Sequence, residues 1–153
     1  MELSDRGISL SLPRGWEGVI STTDPGQGDV AAAGTATTVV HVANFALPAE
    51  RGDFGSNAVE LMGRGAVLIV LFEHDPASVG TALFAAQGIP HPLSADDFDP
   101  NQLQRPLPNQ SGAQYFFTQA GRAFCLYVVI GRHSSRNLLV GVANDVLATL
   151  TIA

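Results

Sequence analysis

Two stretches of this chain are apolar on both faces, Gln114–Gly131 (QYFFTQAGRAFCLYVVIG) and Ala66–Glu73 (AVLIVLFE). The first divides at Ala120-Gly121 into two arms, Gln114–Gln119 and Arg122–Ile130. Both arms are rich in the aromatic and β-branched residues that suit a pleated surface. This pattern predicts a β-hairpin closed by a type I turn with a glycine bulge, Gly121 supplying the positive φ. Alternation along the second arm places Phe124, Leu126, Val128 and Ile130 on one face and Ala123, Cys125, Tyr127 and Val129 on the other. Both sets are apolar, so the arm reads as a central strand covered on both sides. Ala66–Glu73 reads as a second such strand. His74-Asp75-Pro76 ends it, because proline cannot continue a central ladder.

The remaining pattern is weaker. Ile8–Leu12 alternates apolar and serine residues and predicts a short strand with one wet face, with Trp16–Ser21 as its partner. Thr22–Gly34 is turn-rich, and its Gly26-x-Gly28 lacks the strand, third glycine and helix of a dinucleotide fingerprint, so it reads as a loop. Ala36–Phe45 (ATTVVHVANF) predicts a strand with His41 half-buried and satisfied. A short helix is expected over Ser56–Met62, capped by Asp53 or Ser56 and stopped by Gly63 or Gly65. A final helix, capped by Ser134 or Ser135, would bury Leu139, Val142, Ala143, Val146, Leu147 and Leu150. Between Gly88 and Gly112 there are prolines at 90, 92, 100, 106 and 108 and little periodicity. So long a connection either carries function or hides a short element.

The opening strand, the turn Leu12-Pro13-Arg14-Gly15-Trp16 and the strand after it resemble the start of proteins in the Mog1/PsbP-like superfamily. The later order of a hairpin followed by a C-terminal helix is loosely similar as well. The resemblance implies an α+β fold, an antiparallel sheet flanked by helices as an α/β/α sandwich. It also implies a non-enzymatic binding or accessory role. The residues that carry it are structural, so no functional residue is transferred by it. Many bacterial members are exported or lipid-anchored, but this chain has no cysteine near its start.

Composition narrows the function classes. A chain of 153 residues, 46% of them hydrophobic, suits one domain with a sizeable core and excludes disorder as a whole-chain reading. A net charge of -6 argues against a nucleic-acid-binding face. There is no lysine, which excludes Schiff-base chemistry and the phosphate-loop lysine. The single cysteine, Cys125, can form no intrachain disulfide and falls in the buried strand, where it acts as a small hydrophobe. No apolar run approaches the roughly 18 residues of a membrane span. The first residues, MELSDRG, lack the basic and apolar regions of a signal peptide. The expected location is cytoplasmic with Met1 as the native start, and extracytoplasmic if a signal or anchor has been removed.

Candidate chemistry is sparse. Asp97-x-Asp99-x-Asn101, near His91, matches the first ligands of a calcium loop. Gln102 then stands where glycine is needed and Pro108 where the closing glutamate would be, so a solvated acidic loop is expected instead. One cysteine and four scattered histidines do not make a zinc site. Gly-x-Ser-x-Gly is absent. Arg132, His133 and Arg136 could meet an anion near a helix start, but are read as a solvated turn pairing with surplus acids.

The resulting expectation is a non-catalytic protein, without cofactor or metal, that recognises a protein partner. The recognition element would be the Gly88–Gly112 loop, in which Asp96, Asp97 and Asp99 form an acidic rim around Phe98 as an aromatic anchor. The alternative is a small-molecule-binding domain or hydrolase with a pocket at the Glu73–Asp75 strand end. Shape separates the two. A deep apolar cavity with convergent polar groups favours the alternative, and a flat exposed patch favours the first reading.

Overall fold

The computed structural model describes residues 1–22 and 36–153. The turn-rich stretch with Gly26-x-Gly28 therefore lies, beyond Thr22, outside the described residues. The strands are β1 (Glu2–Asp5), β2 (Ile8–Ser11), β3 (Glu17–Thr22), β4 (Thr38–Ala43), β5 (Val67–Glu73), β6 (Ser111–Gln119), β7 (Arg122–Ile130) and β8 (Thr151–Ile152). One α-helix, α1 (Arg136–Leu147), completes the set among the described residues. Two antiparallel sheets result, a five-stranded one in the order β3-β4-β5-β7-β6 and a three-stranded one in the order β1-β2-β8.

The two doubly apolar stretches lie side by side as β5 and β7. The hairpin forms, with Gln119 opposite Arg122 and a two-residue loop between them. Ala120 (φ 55°) and Gly121 (φ 72°) are both left-handed. The turn therefore has the primed geometry that matches strand twist, rather than a type I turn with a bulge. The alternation along β7 holds. Phe124, Leu126, Val128 and Ile130 join the core beneath α1 and β2, while Tyr127 and Val129 join a second cluster on the opposite face.

The expected α/β/α sandwich does not form, because helix covers only one face. On that face α1 packs with β2 and β8 over β5 and β7, contributing Leu139, Val140, Ala143, Val146 and Leu147 to the core. The other face was expected to receive a helix over Ser56–Met62. Gly55 (φ 90°) and Asn57 (φ 72°) are left-handed there, and an L-residue in that conformation interrupts a right-handed helix. Only a single 3-10 turn, Val59–Leu61, survives, so irregular segments cover that face and the fold is mostly β. Ile8–Leu12 also pairs differently from expectation. As β2 it lies between β1 and β8, whereas Trp16–Ser21 contributes to β3 of the larger sheet.

Candidate functional site

The loop-covered face holds a cavity of about 320 Å³. Its floor is Tyr127, which β7 delivers to this face and which is only 1% exposed. The Phe54 ring meets Tyr127 edge-on at 6.0 Å and stacks on Phe72 at 4.9 Å. One wall is the 52–60 segment, with Val59 in its short turn. The other is Leu103–Arg105, from the long proline-rich connection.

A few polar contacts hold these walls. The Gln104 backbone N–H donates to the Tyr127 hydroxyl at 2.9 Å. Gln110, which is 95% buried, donates from Nε2 to the Val59 carbonyl at 2.7 Å. That bond orients the amide, since a reversed amide would set two oxygens against each other. Gln110 Oε1 is left buried without a partner among the described residues. Arg105 and Glu60 pair across the walls at 3.0 Å, with side chains 65% and 34% exposed. Burial raises the pKa of Tyr127 above its ordinary value, against the lowering effect of the Gln104 N–H, so its phenol stays neutral.

His41 lies behind the 52–60 wall. It is not half-buried and satisfied, as its strand pattern suggested, but 2% exposed and half-satisfied. Nε2 lies 2.9 Å from the Asp53 carbonyl, while Nδ1 has no partner among the described residues. Burial, and then the charge of Arg51, push its pKa down to about 4. The ring is therefore neutral at pH 7, and Nε2 carries the proton it donates to Asp53.

The expected recognition rim is dispersed. Phe98 is 3% exposed and packs into the core beneath α1, so it offers no anchor to a partner. Its burial follows from the backbone beside it, where Asp99 and Gly112 exchange N–H···O bonds of 3.0 and 3.2 Å that tie the connection to β6. Two single 3-10 turns, Ala95–Asp97 and Pro100–Gln102, are short elements the sequence pattern did not reveal. Asp96 is exposed, the Asp97 carboxylate accepts the Tyr115 hydroxyl at 2.9 Å, and the Asp99 carboxylate accepts the Asn101 N–H at 2.8 Å. His91 Nε2 meets the Asn144 carbonyl at 3.1 Å. No three His, Cys, Asp or Glu side chains among the described residues are grouped to hold a metal ion.

The alternative site at the end of β5 is also committed to structure. Arg122 grips Glu73 with two bonds, Nε to Oε2 at 2.9 Å and NH2 to Oε1 at 3.0 Å. The same guanidinium donates to the carbonyls of Arg6 and Ala153, tying the small sheet to the large one. Burial would raise the Glu73 pKa, but the Arg122 hydrogen bonds and charge prevail and hold it below the usual value. Asp75 caps the next turn through the Ala77 N–H at 2.8 Å. His74 is wedged against Phe72 and Phe84, with its pKa lowered by burial. Cys125 is buried and its thiol pushed up to about 11, so it is protonated at neutral pH.

Sequence reasoning passed over the residues that build the cavity. One signal was available. Tyr127 is the only hydroxyl on an otherwise apolar strand, and a buried tyrosine needs a partner for that group. Gln110 and the 52–60 wall carry no periodic signal. No family model, curated protein or solved structure matches the chain.

Proposed function

We propose that the protein is a non-catalytic binding domain that holds a small, neutral, largely apolar molecule in the cavity over Tyr127. The single observation that carries this reading is the cavity itself, about 320 Å³, floored by Tyr127 and Phe54 and walled by Val59 and Leu103. Ligand sites are typically concave and mostly apolar, with a few fixed polar groups. The volume is about twice that of a cavity of about 150 Å³ that accepts benzene, which suits a ligand of two fused rings. Two of the three ionic residues that line the cavity, Arg105 and Glu60, already neutralise each other at the edge. Gln110 Oε1 offers an acceptor whose satisfaction by a ligand O–H or N–H would relieve a buried unpaired atom. The Tyr127 hydroxyl is held by the Gln104 N–H and stays protonated because burial raises its pKa, which supports holding over transforming the ligand.

The Gly88–Gly112 connection keeps a functional part in this reading, with different chemistry. It contributes a cavity wall through Leu103 and Gln104 rather than an acidic docking rim. The test is calorimetric titration with 2-naphthol, a neutral two-ring probe with one O–H donor. Saturable binding that is lost in Leu103→Trp, whose indole would fill the space, supports the reading. Absence of binding, or equal binding to Leu103→Trp, refutes it.

A further inference from the structure

We infer that a second, polar cavity binds a phosphate group, either free phosphate or the head of a phosphomonoester. This cavity, about 220 Å³, lies between the turn carrying Arg64 and the end of β7, and is lined by Arg64, Asn109, Gly131 and Arg132. It shares no lining residue with the cavity over Tyr127.

The charge arrangement is the first support. The chain carries 14 acidic residues against 8 arginines, so an arginine is most simply satisfied by a carboxylate. Arg6, Arg105 and Arg122 each pair with a carboxylate. Arg64 and Arg132 line one cavity, and no carboxylate among the described residues lines it with them. The turn was expected to pair with surplus acids, and Arg132 makes no ion pair among the described residues. Arg132 donates from Nε to Ser134 Oγ at 2.8 Å, which fixes its side chain and leaves its terminal nitrogens for a ligand. Two planar guanidinium forks present the donor geometry that recognises tetrahedral oxyanions, and together they balance a dianion.

Rigidity is the second support. The Gly131 N–H donates to the Ala66 carbonyl at 2.9 Å, and the Ala66 N–H to the Gly63 carbonyl at 3.1 Å. The Asn44 side chain then clamps the same turn, donating to the Gly65 carbonyl at 2.9 Å and accepting the Val67 N–H at 2.8 Å. A β-carbon on Gly131 would collide with the Gly63 carbonyl oxygen, so glycine is what allows the two sides to close. On the far side the Asn109 carbonyl accepts the His133 N–H at 2.7 Å. Both arginines are thus carried on backbone that is set before a ligand arrives, which lowers the ordering cost of binding.

The test is a titration of isotope-labelled protein with inorganic phosphate at constant ionic strength, followed by amide and arginine Nε–H resonances. Saturable shifts are expected at Gly63, Arg64, Asn109, Gly131 and Arg132. Glycerol 3-phosphate should reproduce them, identifying a monoester head as acceptable, and shifts with free phosphate alone would restrict the site to the free ion. Succinate should bind at least about tenfold more weakly, since its carboxylates are spaced apart and planar. Arg64→Gln/Arg132→Gln should weaken phosphate binding at least about tenfold, while Arg14→Gln, at an exposed arginine outside both cavities, should leave it unchanged. The single variant Arg64→Gln provides the same comparison should the double variant fold poorly. Shifts that do not saturate, that persist undiminished in these variants, or that succinate matches would overturn the inference.

Discussion

The Tyr127 hydroxyl accepts the Gln104 backbone N–H at 2.9 Å, so the floor of the cavity also fastens its wall. Tyr127 is fixed within β7, whereas Gln104 belongs to a connection with only single 3-10 turns of its own. Tyr127→Phe keeps the ring and removes the fastening. The expected cost is about 0.5–1.5 kcal/mol, because the exposed Gln104 can be rehydrated. Hydrogen exchange should accelerate at Leu103–Arg105, and 2-naphthol affinity should fall although no ring contact is lost. Unchanged exchange at those amides would show that other contacts hold the wall.

Arg122 joins Glu73 to the carbonyls of Arg6 and Ala153, with pair side chains only 19% and 15% exposed. Arg122→Ala should therefore destabilise the fold by about 3 kcal/mol, since it strands a partly buried carboxylate as well as removing the sheet-to-sheet tie. Glu73→Gln should cost less and leave binding at both cavities intact. Loss of binding in a folded Glu73→Gln protein would return the end of β5 to consideration as a site. Chemical denaturation and titration together measure both effects.

The His41 pKa lies near 4 in the fold, against an ordinary value of 6.5. Between these values the unfolded chain binds the proton and the native chain does not, so stability rises with pH across that window. The contribution is fully present above about pH 6.5 and is lost as pH falls toward 4, amounting to on the order of 3 kcal/mol. Carboxylates such as Glu73, also held low, add a loss at more acid pH. Denaturation midpoints at pH 7 and pH 4.5 should therefore converge in His41→Gln compared with the parent protein. An equal acid-side loss in both would assign it to the carboxylates.

Gly141 sits on the exposed side of α1, and a β-carbon there meets nothing within 4 Å. Gly141→Ala should raise stability by about 0.5–1 kcal/mol through backbone entropy and helix propensity. A fall in melting temperature would mean that this face of α1 is already occupied.

The sequence pattern located the elements whose apolar period is strong and left open those that depend on φ. Arg122–Ile130 was read to its terminal residues, with the facing of Phe124 and Tyr127, because a doubly apolar run constrains strand and register together. The cover of each face was less readable. A helix over Ser56–Met62 fits by propensity, but the left-handed Gly55 and Asn57 decide against it, and hydrophobicity does not report φ. β8 is a two-residue strand whose pairing with Ile8 and Ser9 crosses almost the whole chain. The site followed the same division. Phe98 was judged by its acidic neighbours, yet the Asp99–Gly112 backbone pairing turns it inward. The cavity is formed by segments about 50 residues apart, joined by the Gln110–Val59 bond, and no local pattern announces such a meeting.

The most direct measurement of the central claim is an amide-resonance titration of the protein with 2-naphthol. The expected result is a saturable set of shifts at Phe54, Val59, Leu103, Gln104 and Gln110, absent in Leu103→Trp, with Asp96–Asp99 undisturbed. Shifts that never saturate, or that gather at Asp96–Asp99 and spare Gln104 and Gln110, would contradict a ligand site over Tyr127.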